Sequence, residues 1–528
     1  MSSRQERWLL LALLGLMASV QIALAQRQCL WADEIFSLAI ATGHSLEHPV
    51  AAAQPQLGDF VEPDHPVPAA EFRRYLKHDD PPASPARVIR AVLLSDTSPP
   101  LYYLLLYSWT LIFGTSDIVL RLFSIGWSLA SLPLLASVAR RIGGSGAVLT
   151  SCVLFAFSPL TIYYATEGRM YSLLLFLVVA TVWVSLVLQE RGGGVGLYAL
   201  WIISSAAGFL THYFFLFPWL ALVAFLIAQP GRFDRRWLIG CIFLTGLAIL
   251  PWYWMVPDSF SRWRVTKGWL NWRPAGFRRW HALGTQFLQF FSGRGSGLWV
   301  TPRWSARAAL ALFAIIAAVA TWRLRWRLLK GRRLLLWLWF IAACIAPTSL
   351  DLLQHTYVAN VPRYALAALP AAYLLAAVAL GCLSQRIRLV VLTLVVLTWT
   401  ASLLDIYRQG SRSWEPFREA AQVASNDGNA YDAILVHSIP SGVLGIARYA
   451  NESAVIGSWV GQLGTRRIPE SLPALLAGHT QISFVRLHEV GETAPEEDWL
   501  RTHGEVVQEK RMGAGRIIRF KPKDAAVF

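Results

Sequence analysis

The chain has 528 residues, of which 55% are hydrophobic and only 15% charged, where a soluble domain carries about a quarter. That balance excludes an ordinary soluble protein and describes a polytopic membrane protein. The net charge of +16 would suggest nucleic acid in a soluble chain. Here much of the excess is Arg in short loops, so it argues for membrane orientation and anionic lipid phosphates and against a nucleic-acid partner.

In chain order, Arg4 and Arg7 precede an apolar run over 8–25 that ends in Ala23-Leu24-Ala25. That ending resembles a signal-peptidase site. A retained helix is the preferred reading, because the segment that follows would be useful held at the membrane surface. Immediately beyond it come Leu30-Trp31-Ala32-Asp33-Glu34, two carboxylates where a first membrane helix would emerge. A further apolar run, 99–113, is short and opens on two prolines. It reads as a juxtamembrane helix lying partly in the membrane.

Spanning a bilayer takes about 20 mostly apolar residues. The remaining candidates are 118–139, 146–163, 170–189, 197–211, 213–229, 236–256, 304–322, 334–350, 364–382 and 388–404. With 8–25 they predict about eleven transmembrane helices. Many of the 24 Trp suit interfacial anchoring. Four of the five Cys lie within apolar runs, and no CxxC or Cys/His cluster suggests zinc or a disulfide frame.

Basic loops then fix the threading. Arg4 and Arg7 place the N-terminus in the cytoplasm, followed by Arg140-Arg141, by Arg232, Arg235 and Arg236, by the run from Arg323 to Arg333, and by Arg386 and Arg388. The opposite face receives a long first outer loop, 26–117, with Asp33, Glu34 and Asp96. It also receives Thr166-Glu167-Gly168-Arg169-Met170-Tyr171, His212-Tyr213, a Trp/Arg-rich loop over 257–303, and His355 through Arg363. That basic loop carries Arg262, Arg264, Lys267, Arg273, Arg278, Arg279 and Arg294 among four Trp. It reads mainly as an interfacial amphipathic segment, with a cover over the site as the sharper alternative.

Past residue 404 the composition turns polar and mixed. A helical pattern near 415–425, strand-like runs at 433–436 and 482–485, and a hairpin around Gly513–Gly515 predict a small extracytoplasmic α/β domain. The fold expected is therefore an all-α polytopic membrane domain over 1–404, with juxtamembrane helices in its first outer loop, and a soluble α/β domain over 405–528.

Each polar cluster has a bland explanation. Asp33-Glu34 could be a solvated turn, Asp96 a helix cap, Glu167 and Arg169 an interfacial ion pair, His212 a satisfied turn histidine, and Arg363 a snorkelling side chain. None of these explains why all the clusters share one face.

The ordered set resembles the polytopic C-type glycosyltransferases. It consists of Trp-x-Asp-Glu after the first helix, Ser98-Pro99-Pro100-Leu101-Tyr102-Tyr103, Phe113-Gly114 and Val119-Leu120-Arg121-Leu122. It continues with Ser158-Pro159, Tyr164-x-x-Glu167-x-Arg169-Met170-Tyr171, Thr211-His212-Tyr213, and Arg363-Tyr364 with Leu369-Pro370 downstream. The likeness covers roughly 8–385 and is nearest to bacterial relatives of protein mannosyltransferases and of the aminoarabinose transferase acting on lipid A. The chain departs from the family at Ser98, where His is common, and at Thr166-Glu167, where an acidic or Gln-Glu pair is common.

The resemblance implies an enzyme of the bacterial inner membrane that takes a sugar from a polyprenyl-phosphate carrier and passes it to a glycan, lipid or protein acceptor outside the cytoplasm. Such a donor already has a good leaving group. The reaction needs a carboxylate to deprotonate the acceptor hydroxyl and positive charge to stabilise the departing phosphate. The family's leading acidic residue implies Asp33 as the base, with Glu34 as substitute or positioning group. Arg169, His212 and Arg363 are candidates for the phosphate. Asp96, Glu167, Tyr171 and Tyr364 are candidates to bind or position substrate. Some members use a divalent metal near the phosphate, for which Asp96, Glu167 and His212 would be the ligands. A single in-line transfer would invert the anomeric centre. A lipid-linked sugar flippase is the alternative, and an inactive scaffold a third. A flippase predicts polar groups near the bilayer midplane and repeat symmetry, whereas the charges here cluster at helix ends.

Overall fold

Every apolar segment read as a span folds as helix, and the helices pack side by side around one buried apolar core. The computed structural model describes residues 3–48, 53–229, 231–262, 277–293, 303–409, 415–425, 433–459, 472–488 and 494–523. Among these, 8 helices are long and apolar enough to cross a bilayer alone, from Arg4–Arg27 to Gln385–Leu404. A ninth span would be the pair Ser145–Phe157 and Pro159–Ala165, bent by 58°. The bend has a local cause. Proline disfavours helical backbone in the residue before it and lacks an amide to continue the ladder. Ser158 instead is extended, and its hydroxyl caps the second piece by accepting the Thr161 amide. The expected spans at 197–211 and 213–229 are shorter helices, Val195–Phe209 and Tyr213–Ala228.

The outward faces of several spans are apolar and bare, with Ile239, Phe243, Leu247, Ile315, Leu394 and Leu397 exposed. Such a face is stable only against lipid. The run at 99–113 is the 13-residue helix Leu101–Phe113. It is too short to span, and the Leu101 amide donates to the Leu210 carbonyl at 2.9 Å.

The two ends of the bundle differ in charge. At one end the basic loops are tied together. Arg140 pairs with Glu6, Arg141 and Arg332 both pair with Glu190, and Arg388 reaches the Gly146 carbonyl. At the other end lie the first loop and the C-terminal part of the chain.

That C-terminal part folds as expected at its predicted strands, helix and hairpin. Six described strands form one mixed sheet in the order β1-β3-β2-β4-β6-β5. They are β1 (Val67–Pro68), β2 (Ala433–His437), β3 (Val455–Gly457), β4 (Ile482–Arg486), β5 (Gly504–Met512) and β6 (Gly515–Pro522). β2 runs parallel to β3 and β4, while β4, β6 and β5 run antiparallel in turn. The predicted helix is Phe417–Ser425, and β5 and β6 form the hairpin around Gly513. Two features were not read from the sequence. The boundary at 404 falls inside the helix Gln385–Gln409. The edge strand β1 comes from the first outer loop and pairs antiparallel with β3.

Candidate active site

The helix Ala32–Ala41 starts where the first span ends, and its first turn carries both Asp33 and Glu34. Acidic side chains suit a helix N-terminus. Residues next to each other on a helix point about 100° apart, so the two carboxylates have different surroundings.

Glu34 points inward and is fully buried. Its Oε1 accepts from Arg121 Nε at 2.8 Å and from the Gly168 amide at 2.8 Å. Its Oε2 accepts from Arg121 Nη2 at 2.6 Å and from the Trp31 amide at 3.3 Å. Arg121 also donates to the carbonyls of Ala25, Gln28 and Cys29 at 2.9, 2.6 and 2.7 Å. This bidentate pair is sealed from solvent, with both oxygens occupied. Glu34 therefore has no access to a substrate, and the sequence reading of it as a substitute base gives way to a positioning role. It ties the first helix, the second helix and the Glu167–Arg169 turn into one unit. Gly168 is required there, since an added Cβ would lie 2.5 Å from Leu120 Cγ.

Asp33 points the other way, and its side chain is 25% exposed. Oδ2 accepts from Arg363 Nη1 at 2.7 Å. Burial raises the carboxyl's pKa, but the guanidinium groups of Arg363 and Arg169 outweigh it and hold the group below its ordinary value. Arg169 is buried, and its Nη1 donates to Ser37 Oγ at 3.0 Å, to the Asp33 carbonyl at 3.4 Å, to Asp96 Oδ2 at 3.2 Å and to Tyr103 Oη at 3.0 Å.

Asp96 ends the helix Pro85–Ser95 and does not cap the one after it, whose N-cap is Pro100. Its carboxylate accepts from Ser98 Oγ at 3.1 Å and from Tyr103 Oη. Thr97, next in line, has φ of 57°. A β-branched residue there is strained. Its carbonyl accepts from Tyr213 Oη, which anchors the turn beside His212.

His212 is buried at the mouth of two helices, with its ring 6.0 Å from that of Tyr171. Nδ1 accepts the Phe214 amide at 3.1 Å, so the neutral ring carries its proton on Nε2. Burial, then Arg169 and Arg363, push its pKa down to about 3. His212 is therefore a neutral hydrogen-bond donor, not a cation for the phosphate. Glu167, two residues before Arg169, is also buried. Tyr364 packs on Phe214 at 5.2 Å, and Arg363 stacks over the Tyr364 ring at 5.4 Å.

An acidic residue missed in the sequence sets up Arg363. Asp351 lies within the apolar helix Arg332–Gln354 and is fully buried. It accepts from Thr356 Oγ1 and the amides of Val358 and Ala359 at 2.7, 2.6 and 2.9 Å. These bonds fold back the loop that delivers Arg363. A lone acidic residue inside an apolar run was the available signal.

The expected metal ligands do not assemble. Among the described residues no group of three His, Cys, Asp or Glu side chains is placed to hold an ion. Asp96 is bound to the Arg169 guanidinium and His212 Nδ1 accepts an amide, so the donor set suits an anion near two arginines better than a cation. The part of the basic loop over 263–276 and 294–302 lies outside the described residues, while Arg278, Arg279 and Trp280 stand on the helix Phe277–Ser292. Two cavities, lined by Phe60 and Tyr75 and by Arg90 and Trp254, lie away from Asp33.

This arrangement can be set against known proteins. Residues 97–254 match the family model for dolichyl-phosphate-mannose-protein mannosyltransferase. No curated protein sequence matches the chain. The structure of ArnT from Cupriavidus metallidurans bound to undecaprenyl phosphate superposes with a TM-score of 0.60 at 14% identity, covering 98% of each chain. The chain has the C-type glycosyltransferase fold. ArnT in its apo state matches it with a TM-score of 0.54 at 13% identity, over 93% of this chain and 96% of that one. At 98% coverage the match to ArnT takes in the C-terminal sheet of this chain as well as its membrane bundle. The family-model match spans the turns that carry Arg169 and His212 and stops short of Asp33 and Arg363.

Proposed function

We propose that this protein is a membrane glycosyltransferase that moves a sugar from a polyprenyl-phosphate carrier to an acceptor hydroxyl at the extracytoplasmic face. One observation carries the reading. A partly exposed carboxylate, Asp33, stands between two guanidinium groups delivered by distant turns, Arg363 at 2.7 Å from its side chain and Arg169 at 3.4 Å from its carbonyl. The C-type fold and the mannosyltransferase family match support it. So does the ArnT structure of the same fold, which holds undecaprenyl phosphate, a carrier of the class proposed here.

In this reading Arg363 turns from Asp33 to the carrier's phosphate, a diester with one charge that gains a second as the anomeric bond breaks, so a fork-shaped donor holds it most strongly in the transition state. The freed Asp33 accepts the acceptor's hydroxyl proton as that oxygen attacks the anomeric carbon. The bond from the anomeric carbon to the phosphate oxygen breaks, and polyprenyl phosphate leaves with its charge held by Arg363 and Arg169. One in-line displacement inverts the centre. Asp96 and Tyr103 fix Arg169, Tyr364 stacks on Arg363, and Tyr171 and neutral His212 line the mouth as hydrogen-bonding groups.

The membrane domain, which runs to the end of the helix Gln385–Gln409, and the α/β domain after it are the two working parts, with the second outside the cytoplasm and the N-terminus inside. A bacterial inner membrane is the proposed location. The acceptor is an envelope glycan, lipid or protein.

The test is transfer of labelled mannose or aminoarabinose from its polyprenyl phosphate in liposomes. Asp33→Asn should lower transfer by about 10²–10⁴-fold while the carrier lipid still binds. Transfer at the wild-type rate in that variant would overturn the reading. Transbilayer movement of the carrier without transfer would favour a flippase.

A further inference from the structure

A carboxylate of the α/β domain, Glu415, reaches the helix that carries the proposed base. Glu415 is 1% exposed. Its Oε2 accepts the amide of Ala32, the residue before Asp33, at 2.7 Å. Its Oε1 is hydrogen-bonded to His488 Nδ1. One side chain therefore both caps the helix that carries Asp33 and holds an imidazole next to it. Two more bonds secure the junction: the Leu30 amide donates to Tyr449 Oη at 2.7 Å, and Cys29 Sγ lies 3.8 Å from the Glu415 carbonyl.

His488 follows β4 with φ of 54°. A left-handed non-glycine residue costs free energy and persists only where its surroundings over-determine it. Its pairing with Glu415 is such a constraint. The imidazole is not walled in, since 37% of the side chain is exposed.

We propose that His488 is a positioning residue for Asp33, a third positive charge that the α/β domain holds at the reaction centre by way of Glu415. Glu415 is its direct partner, and the carboxylates of Asp33 and Glu47 act on it through space. Burial opposes its charge, but Glu415, then Asp33 and Glu47, outweigh burial and raise its pKa above the usual histidine value. The protonated imidazole is thus favoured there, and it adds to the field that holds the Asp33 pKa down. Its use becomes clear when the donor arrives. The phosphate takes Arg363 and brings negative charge that would raise the Asp33 pKa. His488 cannot follow the phosphate because Glu415 holds it. The base stays ionised beside the incoming anion.

This inference rests on Asp33 being the base, and its test separates the two. Infrared titration of the Asp33 carboxylate, read as wild type minus Asp33→Asn, reports the group directly and needs no substrate. With His488→Gln and His488→Ala the midpoint should rise by about half a pH unit, a small shift because Glu415 cancels part of the imidazole's charge. With His488→Arg it should stay at the wild-type position. The acid limb of transfer from polyprenyl-phosphate mannose should move with it, with the KM for that donor unchanged. A purely structural role predicts that all three variants titrate alike, and that result would overturn the inference. So would a rise that Arg does not restore. Full transfer by Asp33→Asn would instead remove the proposed reaction and leave the titration result standing.

Discussion

At the scale of residues, neighbours in sequence do opposite work. Asp33 is presented to the site and Glu34 is locked away from it, because a helix turns them apart. The acidic pair was legible in the sequence, but which member faces outward was not. That depends on Arg121, 87 residues on, whose guanidinium needs a buried carboxylate. Arg363 was legible as a helix-mouth arginine, yet its pairing with Asp33 spans 330 residues and has no local signal. His212 was read as a candidate phosphate cation and is neutral. Its free ring would protonate near 6.5 and the folded one only near 3. Between those values the unfolded chain binds more protons, so stability falls as pH drops through that window and is unaffected above it. Glu47, pushed up to about 7 by burial, acts with the opposite sign over part of the same range. The comparison with a variant isolates the histidine. On acidification from about pH 7 to about pH 5, the melting temperature in detergent should fall more for wild type than for His212→Asn. Equal falls would mean that the buried ring is not what senses acid.

At the scale of elements, the site is assembled from helix ends. The turn from Glu167 to Met170 enters between two spans with no room to spare. Gly168 gives its amide to Glu34 at 2.8 Å, and its missing side chain is what lets Leu120 close over it. Gly168→Ala should lower stability by about 1–3 kcal/mol, as overpacking does. It should also weaken carrier-lipid binding by shifting Arg169. The double variant Gly168→Ala, Leu120→Ala should recover part of both losses in thermal melting and lipid-binding measurements. Additive losses would show that the contact with Leu120 is not the cause. The spans themselves were readable, since length and apolar content decide them. Two of them are shorter than a lone crossing needs, as their apolar runs already were, and the bend at Ser158-Pro159 was missed. An 18-residue apolar stretch looks the same whether it is straight or broken.

At the scale of the molecule, the α/β part is joined to the bundle by Asp117 at the start of the second long span. Its carboxylate binds Arg448 Nε at 2.7 Å, Tyr449 Oη at 2.6 Å and Arg418 Nη2 at 3.2 Å. Asp117→Asn leaves two arginines without their anion. It should lower stability by about 2 kcal/mol or more. Limited proteolysis should then cut the C-terminal part at lower protease concentration, with the bundle intact. A digestion pattern identical to wild type would show that the apolar contacts alone hold the parts together. The sequence foretold two strands from short apolar runs and the hairpin from its glycines, but not this clamp or Glu415. The tail carries no motif, and its role depends on which residues of the first loop it meets.

The pairing of Val67 with Ile456 has a consequence for how the molecule comes into being. A ribosome finishes the first strand of that ladder long before its partner exists. The loop must therefore wait outside the bilayer, unpaired, while the later spans are inserted. The helix bearing Asp33 gains its cap from Glu415 only once the C-terminal part has been made and has folded against the first loop. Nascent chains stalled before residue 415 would carry the described spans up to Gln385–Gln409 and still lack that cap, so under the function proposed above transfer would await the segment that brings Glu415.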